Sequence, residues 1–418
     1  MTAFRSYLDI TYYSLLASYR YTKSMDDNFA AKSLCILGRQ PELGIAELES
    51  LYGPEHVRPI PGATLMDLDA EDINFGRLGG TIKLAQVLAV VPAVTWPELE
   101  KYLLENLPKH LEHAPKGKLT IGLSVYGIDV PVGHINKMLL VAKKNLRGDR
   151  PIRVVPNKSP ALNSAQVLHN KLTHTGAFEF VLFRNSSQTI LARTLFVQDI
   201  EAYGARDQAR PRRDSRIGML PPKLAQILIN LASPPARSAV LDPFCGTGVI
   251  LQEALLMDFD VVGTDIDKRM VDYAATNVEW LKGFRPQILG SYQIEIGDAR
   301  EYTWPSKVSA VASEVYLGPP MHQAPKPAEL AGIMHDVNGL LEAFLRNIAP
   351  QIGNDVRIAL AVPAWRGPDG KFRQLYLLDH LGDLGYNLLD FKHVNNDNLI
   401  YFRENQIVAR RLIVLIKK

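Results

Sequence analysis

A short glycine-containing segment, followed by acidic residues further along the chain, could bind a nucleotide-like ligand. Residues 242–248 (DPFCGTG) include Gly246 and Gly248, which permit a tight turn and a close approach of the backbone to a ligand. Asp265 and Asp298 each follow a later apolar segment. Their carboxylates could accept hydrogen bonds from the hydroxyls of a ribose and from the amino group of an adenine. These residues therefore predict a site for a ligand that contains adenosine.

The predicted strands and helices place these groups at one edge of a sheet. The apolar run 238–241 predicts a short buried strand before the turn, and residues 249–256 have helical spacing after it. Two further strands, predicted at 260–264 and 292–296, lead into the two acidic residues. The carboxyl ends of parallel strands meet at the same edge of a doubly wound α/β sheet, where ligands bind. The turn and the carboxylates are thus expected to share one site.

Three classes of ligand use a turn of this kind, and the neighbouring residues distinguish them. A phosphate-binding loop needs a lysine and then serine or threonine after its second glycine, but Val249 and Ile250 stand there. A dinucleotide-binding turn needs a third small residue, where this chain has Leu251. S-adenosylmethionine (SAM) fits both the turn and the acidic residues. The residues predicted to bind SAM are Asp242, Pro243, Phe244, Gly246, Thr247, Gly248, Asp265, Ile266, Asp298 and Ala299.

The composition is typical of a globular protein in a reducing compartment. A chain of 418 residues has room for two or three domains of ~100–200 residues each. With 47% hydrophobic and 22% charged residues it reads as soluble, and no apolar run reaches the ~18 residues of a membrane span. The N-terminus lacks a signal-peptide pattern, and the two cysteines are too few for a disulfide scaffold or a zinc site. We therefore expect a cytoplasmic protein with no membrane contact and no metal.

Basic residues gather in two segments outside the predicted SAM site, although the net charge is only +3. In both segments they outnumber the acidic residues, as expected for contacts to phosphates. A solvated helix end and a charged linker would have the same composition. Beside a domain predicted to bind SAM, we favour a polyanionic partner. The residues predicted to contact its phosphates are Lys143, Lys144, Arg147, Arg150, Arg153, Lys158, Arg206, Arg210, Arg212, Arg213 and Arg216.

The order of the predicted elements divides the chain into regions. From residue 238 onward strands alternate with helices, which predicts an α/β fold with a mostly parallel sheet. Segments 386–391 and 407–416 predict strands without a helix between them, and hence an antiparallel C-terminal hairpin. Segments 178–183 and 189–194 predict another strand pair. The predicted regions are a poorly ordered extension (1–32), an α/β subdomain (33–75), a second α+β domain (76–200), a basic linker (201–217) and a SAM-binding domain (218–418).

Several segments of the chain share the pattern of one protein family. They are 79–83 (GGTIK), 162–165 (LNSA), 207–214 (DQARPRRD), 218–226 (GMLPPKLAQ), 242–248 (DPFCGTG) and 401–410 (YFRENQIVAR). Together they resemble the THUMP-domain-containing tRNA guanosine-N2 methyltransferases. The resemblance implies a Rossmann-like class I methyltransferase domain with SAM as cofactor, preceded by a THUMP-like RNA-binding domain at 76–200. It also implies tRNA as the partner and the exocyclic N2 amine of a guanosine as the methyl acceptor.

The loop that should hold the acceptor base departs from the family pattern. The family places Asp-Pro-Pro-Tyr after its fourth strand, whereas residues 313–321 of this chain read SEVYLGPPM. Aligned without a gap, Glu314 takes the position of the aspartate and Gly318 follows as in the family. In a shifted alignment, Pro319 and Pro320 keep both prolines, but the acidic and aromatic residues are lost. The sequence leaves both alignments open.

The chemistry of the acceptor indicates which residues of this loop are catalytic. An exocyclic amine is a poor nucleophile because its lone pair is delocalised into the ring, so the protein must aim its nitrogen at the methyl group. Glu314 could accept hydrogen bonds from the amine and Tyr316 could stack on the base, in a loop completed by Pro319 and Pro320. We predict N2 methylation of guanosine in tRNA. The alternatives are an N-methyltransferase acting on another base in rRNA or DNA, and a catalytically impaired RNA-binding member of the fold.

Overall fold

The structure is a computed structural model, and its described residues form two compact units. They are 29–146, 150–214, 219–304, 308–321, 323–367, 369–404 and 406–418. The first unit contains the described residues up to Pro41, together with Glu55–Gly76 and the described part of Thr81–Ile200. The second contains Glu42–Pro54, Arg77–Gly80 and the described part of Glu201–Lys418. Of the extension predicted at 1–32, residues 1–28 lie outside the described residues.

The first unit is built on one mixed sheet. Its strands are β1 (Ser33–Leu37), β2 (Val57–Ile60), β3 (Ala63–Met66), β4 (Thr81–Val91), β5 (Leu119–Tyr126), β6 (Ile152–Val154), β7 (Ala177–Asn185) and β8 (Gln188–Val197). Within the described residues they form an eight-stranded sheet in the order β2-β3-β1-β4-β8-β7-β5-β6. The antiparallel pairing of β7 with β8 confirms the predicted strand pair. The sequence predicted separate regions at 33–75 and 76–200. In the structure the two regions share one sheet, because β1 is hydrogen-bonded to β4.

Helices connect the strands of both units. They are α1 (Pro41–Tyr52), α2 (Trp96–His110), α3 (Val132–Asn145), α4 (Ser164–His169), α5 (Ile200–Gln208), α6 (Pro222–Ala232), α7 (Val249–Leu256), α8 (Lys268–Phe284) and α9 (Pro327–Ile348). Apolar residues at helical spacing explain how α2 packs, since Leu99, Leu103 and Leu107 enter one buried cluster. Among the described residues, no helix is both long and apolar enough to span a membrane.

A buried ion pair lies within the sheet of the first unit. Lys83 on β4 pairs with Glu179 on β7, and their side chains are 1% and 0% exposed. The carboxylate also accepts hydrogen bonds from Ser124 Oγ at 2.5 Å and from Thr194 Oγ1 at 2.7 Å. The Ser124 hydroxyl in turn accepts from the backbone N–H of Leu162 at 2.9 Å. Every oxygen of this carboxylate therefore has a partner inside the unit.

The second unit has the strand order of a class I methyltransferase. Its strands are β9 (Ala239–Asp242), β10 (Asp260–Asp265), β11 (Tyr292–Ile296), β12 (Ala310–Glu314), β13 (Ile358–Arg366), β14 (Phe372–Arg373), β15 (Tyr386–Leu388), β16 (Ile400–Tyr401) and β17 (Val408–Lys417). The main path runs β11-β10-β9-β12-β13-β17-β15, with the strands from β11 to β13 parallel. Strand β17 is antiparallel to both β13 and β15. The predicted α/β fold and its antiparallel C-terminal pair are confirmed.

The segment predicted as a basic linker has regular structure. Helix α5 occupies its first part, and Arg206 on this helix pairs with the buried Glu253 of α7 through an Nε–Oε1 distance of 2.7 Å. Arg210, just after α5, is 3% exposed. Counting charges in the sequence could not reveal that an acidic residue buried in α7 faces these cations. Within the described residues, 201–214 belong to the second unit.

Candidate cofactor and acceptor site

The glycine turn lies between β9 and α7 in the second unit. The backbone N–H of Gly248 donates to the carbonyl of Cys245 at 2.7 Å, and the side chain of Asn277 donates to the carbonyl of Thr247 at 2.9 Å. Gly246 and Gly248 have φ values of 49° and 79°, which glycine adopts without strain. A Cβ at Gly248 would lie 3.1 Å from Cβ of Ala274, whereas a Cβ at Gly246 would meet nothing within 4 Å. The turn is therefore packed on one side and open at Gly246.

Asp265 lies directly beside this turn, at the end of β10. Its Oδ2 accepts a hydrogen bond from the N–H of Gly246 and its Oδ1 from the N–H of Asp267, each at 2.9 Å. Burial raises the pKa of Asp265, and the two backbone hydrogen bonds oppose that shift. Each carboxylate oxygen still has a lone pair that could accept from a hydroxyl. The next residue, Ile266, leaves 65% of its surface exposed.

Asp242 is the last residue of β9, directly before the turn, and lines the same cleft. Its Oδ1 accepts from Ser313 Oγ at 2.5 Å, which joins the ends of β9 and β12, and from the N–H of Phe244 at 3.3 Å. The pKa of Asp242 is raised to about 7, mainly by burial and to a smaller extent by the nearby carboxylates of Asp265 and Glu314, while its hydrogen bonds oppose the shift. This carboxylate thus stabilises the junction of two strands below the turn.

The third predicted acidic residue, Asp298, is engaged by a neighbour. Arg300 donates from Nε and Nη2 to its carboxylate, at distances between 2.5 and 3.0 Å. The guanidinium holds the pKa of Asp298 below its usual range. The adjacent Ala299 is 4% exposed and packs in the apolar core with Trp304. The contact of Asp298 and Ala299 with an adenine stays a prediction.

Glu314 ends β12 and faces the same cleft as the turn. Arg410 on β17 donates from Nε to its Oε1, and the side chains of Arg410 and Glu314 are 4% and 15% exposed. Burial raises the pKa of Glu314, and the charge of Arg410 opposes that shift. Arg410 was not among the predicted site residues, although it ends the family-like segment 401–410. Its role depends on a strand pairing that the sequence does not show.

The loop after Glu314 turns at Gly318. Gly318 has a φ of 92°, and a Cβ there would lie 3.0 Å from Cγ2 of Ile333, so a glycine is required. Tyr316 is half-exposed, as a stacking residue would be before its base binds. Pro319 and Pro320 are exposed and do not line the cleft with Glu314. The arrangement gives an acidic residue in the cleft and a nearby ring.

The cleft brings most of the predicted turn residues together with some that were not predicted. Asp242, Phe244, Gly246, Thr247 and Glu314 all line it. Further lining residues are Asp214, Met219, Leu220, Cys245, Val249, Ile250 and Met270. Several of these belong to the segments that carry the family resemblance, which was the available signal. All of them lie in the second unit.

The predicted phosphate-binding residues divide into exposed and buried groups. Lys144, Arg153 and Lys158 are exposed in the first unit, where Lys143 and Arg150 are partly buried. Arg212 and Arg213 are exposed in the second unit. Arg206 and Arg210 instead pack inside that unit, near the buried Glu253 of α7. Arg147 and Arg216 lie outside the described residues.

Comparisons with known proteins find sequences similar to part of this chain. A family model described as N6_N4_Mtase, DNA methylase, matches residues 208–276. The tRNA (guanine(10)-N2)-dimethyltransferase of Methanothermobacter thermautotrophicus is 37% identical over 131 residues, covering 31% of this chain and 36% of that protein. The enzyme of the same name from Pyrococcus abyssi is 36% identical over 114 residues, covering 27% of this chain and 32% of that protein. Part of this chain is thus similar in sequence to proteins named tRNA (guanine(10)-N2)-dimethyltransferase.

The two sequence matches cover only part of each relative. The two matches span about a third of the relatives' own length. A probable tRNA (guanine(10)-N2)-dimethyltransferase from Methanothermococcus thermolithotrophicus is 27% identical over 158 residues, covering 37% of this chain and 89% of that protein. Among solved structures, TrmN from Thermus thermophilus has 17% identity and a TM-score of 0.49, covering 92% of this chain and 99% of that chain.

Proposed function

We propose that this protein is a SAM-dependent methyltransferase that methylates the exocyclic N2 amine of a guanosine in tRNA. The observation that carries the proposal is the meeting of the glycine turn and Glu314 in one cleft. The first element suits a methyl donor that contains adenosine, and the second suits an amine acceptor. The names of the curated relatives supply the base and the RNA.

The residues of the turn fit SAM. The open space at Gly246 allows the cofactor to approach the backbone, and Asp265 can accept hydrogen bonds from ribose hydroxyls. Ile266 and Met270 offer apolar surface beside them, with Met270 in the cleft lining. When bound, SAM supplies an electrophilic methyl group. The role of the chain is to fix that group opposite Glu314.

The acceptor side of the cleft can position an amine. We expect a carboxylate oxygen of Glu314 to accept a hydrogen bond from the N2 amine, which orients the nitrogen toward the donor. Tyr316 then stacks on the extruded base. Positioning of this kind can contribute ~7–11 kcal/mol to lowering a barrier, so no strong base is required. The proton released on methylation leaves to solvent or through Glu314.

Binding of tRNA would rest on the exposed basic residues. Lys144, Arg153 and Lys158 of the first unit, with Arg212 and Arg213 of the second, are available for phosphates. This assigns the first unit the RNA-binding role of a THUMP-like domain. Such an enzyme would act in the cytoplasm.

The test is to identify the product nucleoside. The purified protein is incubated with isotope-labelled SAM and tRNA from cells that lack the gene, and the digested nucleosides are analysed by mass spectrometry. We expect the label in N2-methylguanosine or its dimethyl form. Label in N6-methyladenosine or N4-methylcytosine would instead support the second candidate, a base methyltransferase of the type named by the matching family model.

SAM binding is measured separately by calorimetry, because it distinguishes an enzyme from an RNA-binding relative. Failure of the intact protein to bind SAM would contradict the catalytic proposal as a whole. Binding without transfer to any nucleic acid would contradict the assigned acceptor.

A further inference from the structure

We propose that Arg410 is a positioning residue that holds Glu314 as a charged hydrogen-bond acceptor for the exocyclic amine. The inference rests on the proposed function and adds the residue that prepares its acceptor group. Arg410 itself does not touch the substrate. It acts through the carboxylate that it binds.

The register of the sheet shows why this position requires a long cation. Glu314 on β12 lies beside Ala361 on β13, and Arg410 on β17 lies beside Pro363 of the same strand. Side chains two residues apart on a strand point to the same face, so all four share one face of the sheet. Two strand spacings of ~4.8 Å separate β12 from β17. The small Ala361 and Pro363 leave room for the guanidinium to cross β13.

The contact leaves one oxygen of the carboxylate for a ligand. Arg410 Nε binds Oε1 of Glu314, and among the described residues no group donates to Oε2. The Glu314 side chain keeps 15% of its surface exposed and lines the cleft. This oxygen is not among the buried side-chain atoms that lack a partner, so it is accessible and can accept a hydrogen bond from a ligand in the cleft. An amine N–H supplies the donor.

The surrounding charges explain why a cation is needed at this point. The carboxylates of Asp265 and Glu314 lie close enough to Asp242 to raise its pKa. On another wall of the cleft, Asp214 pairs with Arg269 of α8 at 3.2 Å. Burial alone would favour the protonated form of Glu314, and the positive charge of Arg410 opposes it. A protonated carboxyl would present a hydroxyl donor, which cannot accept a hydrogen bond along the same direction.

The arrangement also defines a class of acceptor. An ionised carboxylate only accepts hydrogen bonds, so it suits the amino groups of guanine, adenine and cytosine and repels carbonyl oxygens. The pair therefore selects an amine over a carbonyl oxygen. It does not by itself distinguish guanine from the other two bases.

The experiment compares pH profiles of methyl transfer for wild type and Arg410→Met. Assays run from about pH 6 to about pH 8.5, with SAM affinity and thermal melting measured for each variant. Loss of the cation makes Glu314 take up a proton at higher pH, so activity should be lost on the acid side first. Relative to wild type, we expect the ratio of kcat at pH 6 to kcat at pH 8.5 to fall about tenfold in Arg410→Met.

Arg411→Gln is the matched control. Arg411 is the next residue on β17, is 5% exposed and pairs with Asp397 at 2.8 Å. Its loss removes a comparable buried cation without touching Glu314, so its pH profile should match that of wild type. A pH ratio for Arg410→Met equal to that of wild type would overturn the inference, because a purely structural pair lowers activity equally at every pH.

Two further variants keep the test decisive. Should Arg410→Met not fold, Arg410→Lys takes its place, with a smaller fall in the same ratio expected because the ammonium lacks the planar fork of arginine. An unchanged ratio in that variant would overturn the inference too. In Glu314→Gln, the residual methyl-transfer activity should no longer fall at acid pH, because residue 314 can no longer take up a proton. If the activity still falls at acid pH, the titrating group is Asp242, and the inference about Arg410 is overturned.

Failure of the inference and failure of the proposed function give different results. If wild type does not methylate guanosine N2, the proposed function fails at the product analysis. If wild type methylates an exocyclic amine and the Arg410 variants keep its pH profile, only the role of Arg410 fails.

Discussion

Each unit of the molecule buries a glutamate beside a cation, and the two carboxylates differ in what else reaches them. In the first unit, Glu179 accepts from Lys83, Ser124 and Thr194, and its side chain is 0% exposed. In the second unit, Arg410 binds one oxygen of Glu314, whose side chain lines a cleft. A fully satisfied buried pair fixes a structure, whereas a pair with an open acceptor at a strand end can bind a ligand. Similar chemistry therefore indicates different roles in the two units.

The largest expected effect is on methyl-transfer activity, which should depend on Glu314 and its open acceptor. Glu314→Gln keeps the shape of the side chain but weakens the charged acceptor, so we expect kcat to fall about 10²–10³-fold. SAM affinity should stay within about twofold of wild type, because the turn and Asp265 are unchanged. The measurement is single-turnover methyl transfer to tRNA. Wild-type rates in this variant would move the acceptor role to another residue.

The second prediction concerns the contribution of the pair of Lys83 and Glu179 to the free energy of unfolding. Lys83→Met leaves Glu179 buried without its cation, so we expect the free energy of unfolding to drop by about 3–5 kcal/mol. Urea unfolding of the purified protein measures the change. The paired substitution Lys83→Met with Glu179→Leu removes both charges and should recover most of that loss. A drop below about 1 kcal/mol for Lys83→Met would show that the pair of Lys83 and Glu179 does not stabilise the first unit.

The third prediction concerns the cofactor side of the cleft. Asp265→Asn removes the charge expected to accept from ribose hydroxyls, so SAM affinity should weaken about 10–100-fold. Calorimetric titration with SAM measures it. Asp298→Asn is the comparison, since Arg300 already engages that carboxylate. A larger loss for Asp298→Asn than for Asp265→Asn would assign the main cofactor contact to the third strand instead.

The smallest expected effect distinguishes exposed from buried cations. Lys158→Gln should reduce tRNA affinity modestly and lower the slope of log affinity against log salt by about 1, as expected for one lost phosphate contact. Arg206→Gln should instead lower stability, because Glu253 would remain buried without its partner. Filter binding across a salt series and thermal melting measure the two effects. An unchanged salt slope for Lys158→Gln would remove that residue from the proposed RNA surface.

The parts of the fold that could be predicted are those set by local pattern. Strand, turn and helix around Gly246 follow from apolar runs and from glycine, and the structure places Asp265 beside Gly246 as the order of strands implies. The antiparallel pairing of β7 and β8 followed from two neighbouring strands joined by a polar turn. Such features depend on residues that are close in sequence.

The parts that could not be predicted depend on long-range pairing. Arg410 reaches Glu314 only because β17 lies next to β13 in the sheet, which no local pattern specifies. The join of β1 to β4 likewise merges two segments that looked separate in the sequence. Arg206 and Arg210 looked like solvent-exposed cations because charge in a sequence carries no information on burial. The two alignments of the acceptor loop stay open, because the conformation of Gly318 is compatible with either one.

The most direct test of the central claim is the fate of a labelled methyl group in paired reactions of wild type and Glu314→Gln. Both proteins receive the same isotope-labelled SAM and unmodified tRNA, and the nucleosides are separated by mass. We predict label on the N2 amine of guanosine with wild type and almost none with Glu314→Gln, at equal SAM binding. Label on a different base, or equal labelling by the two proteins, would contradict the proposed role of Glu314 in methylating guanosine.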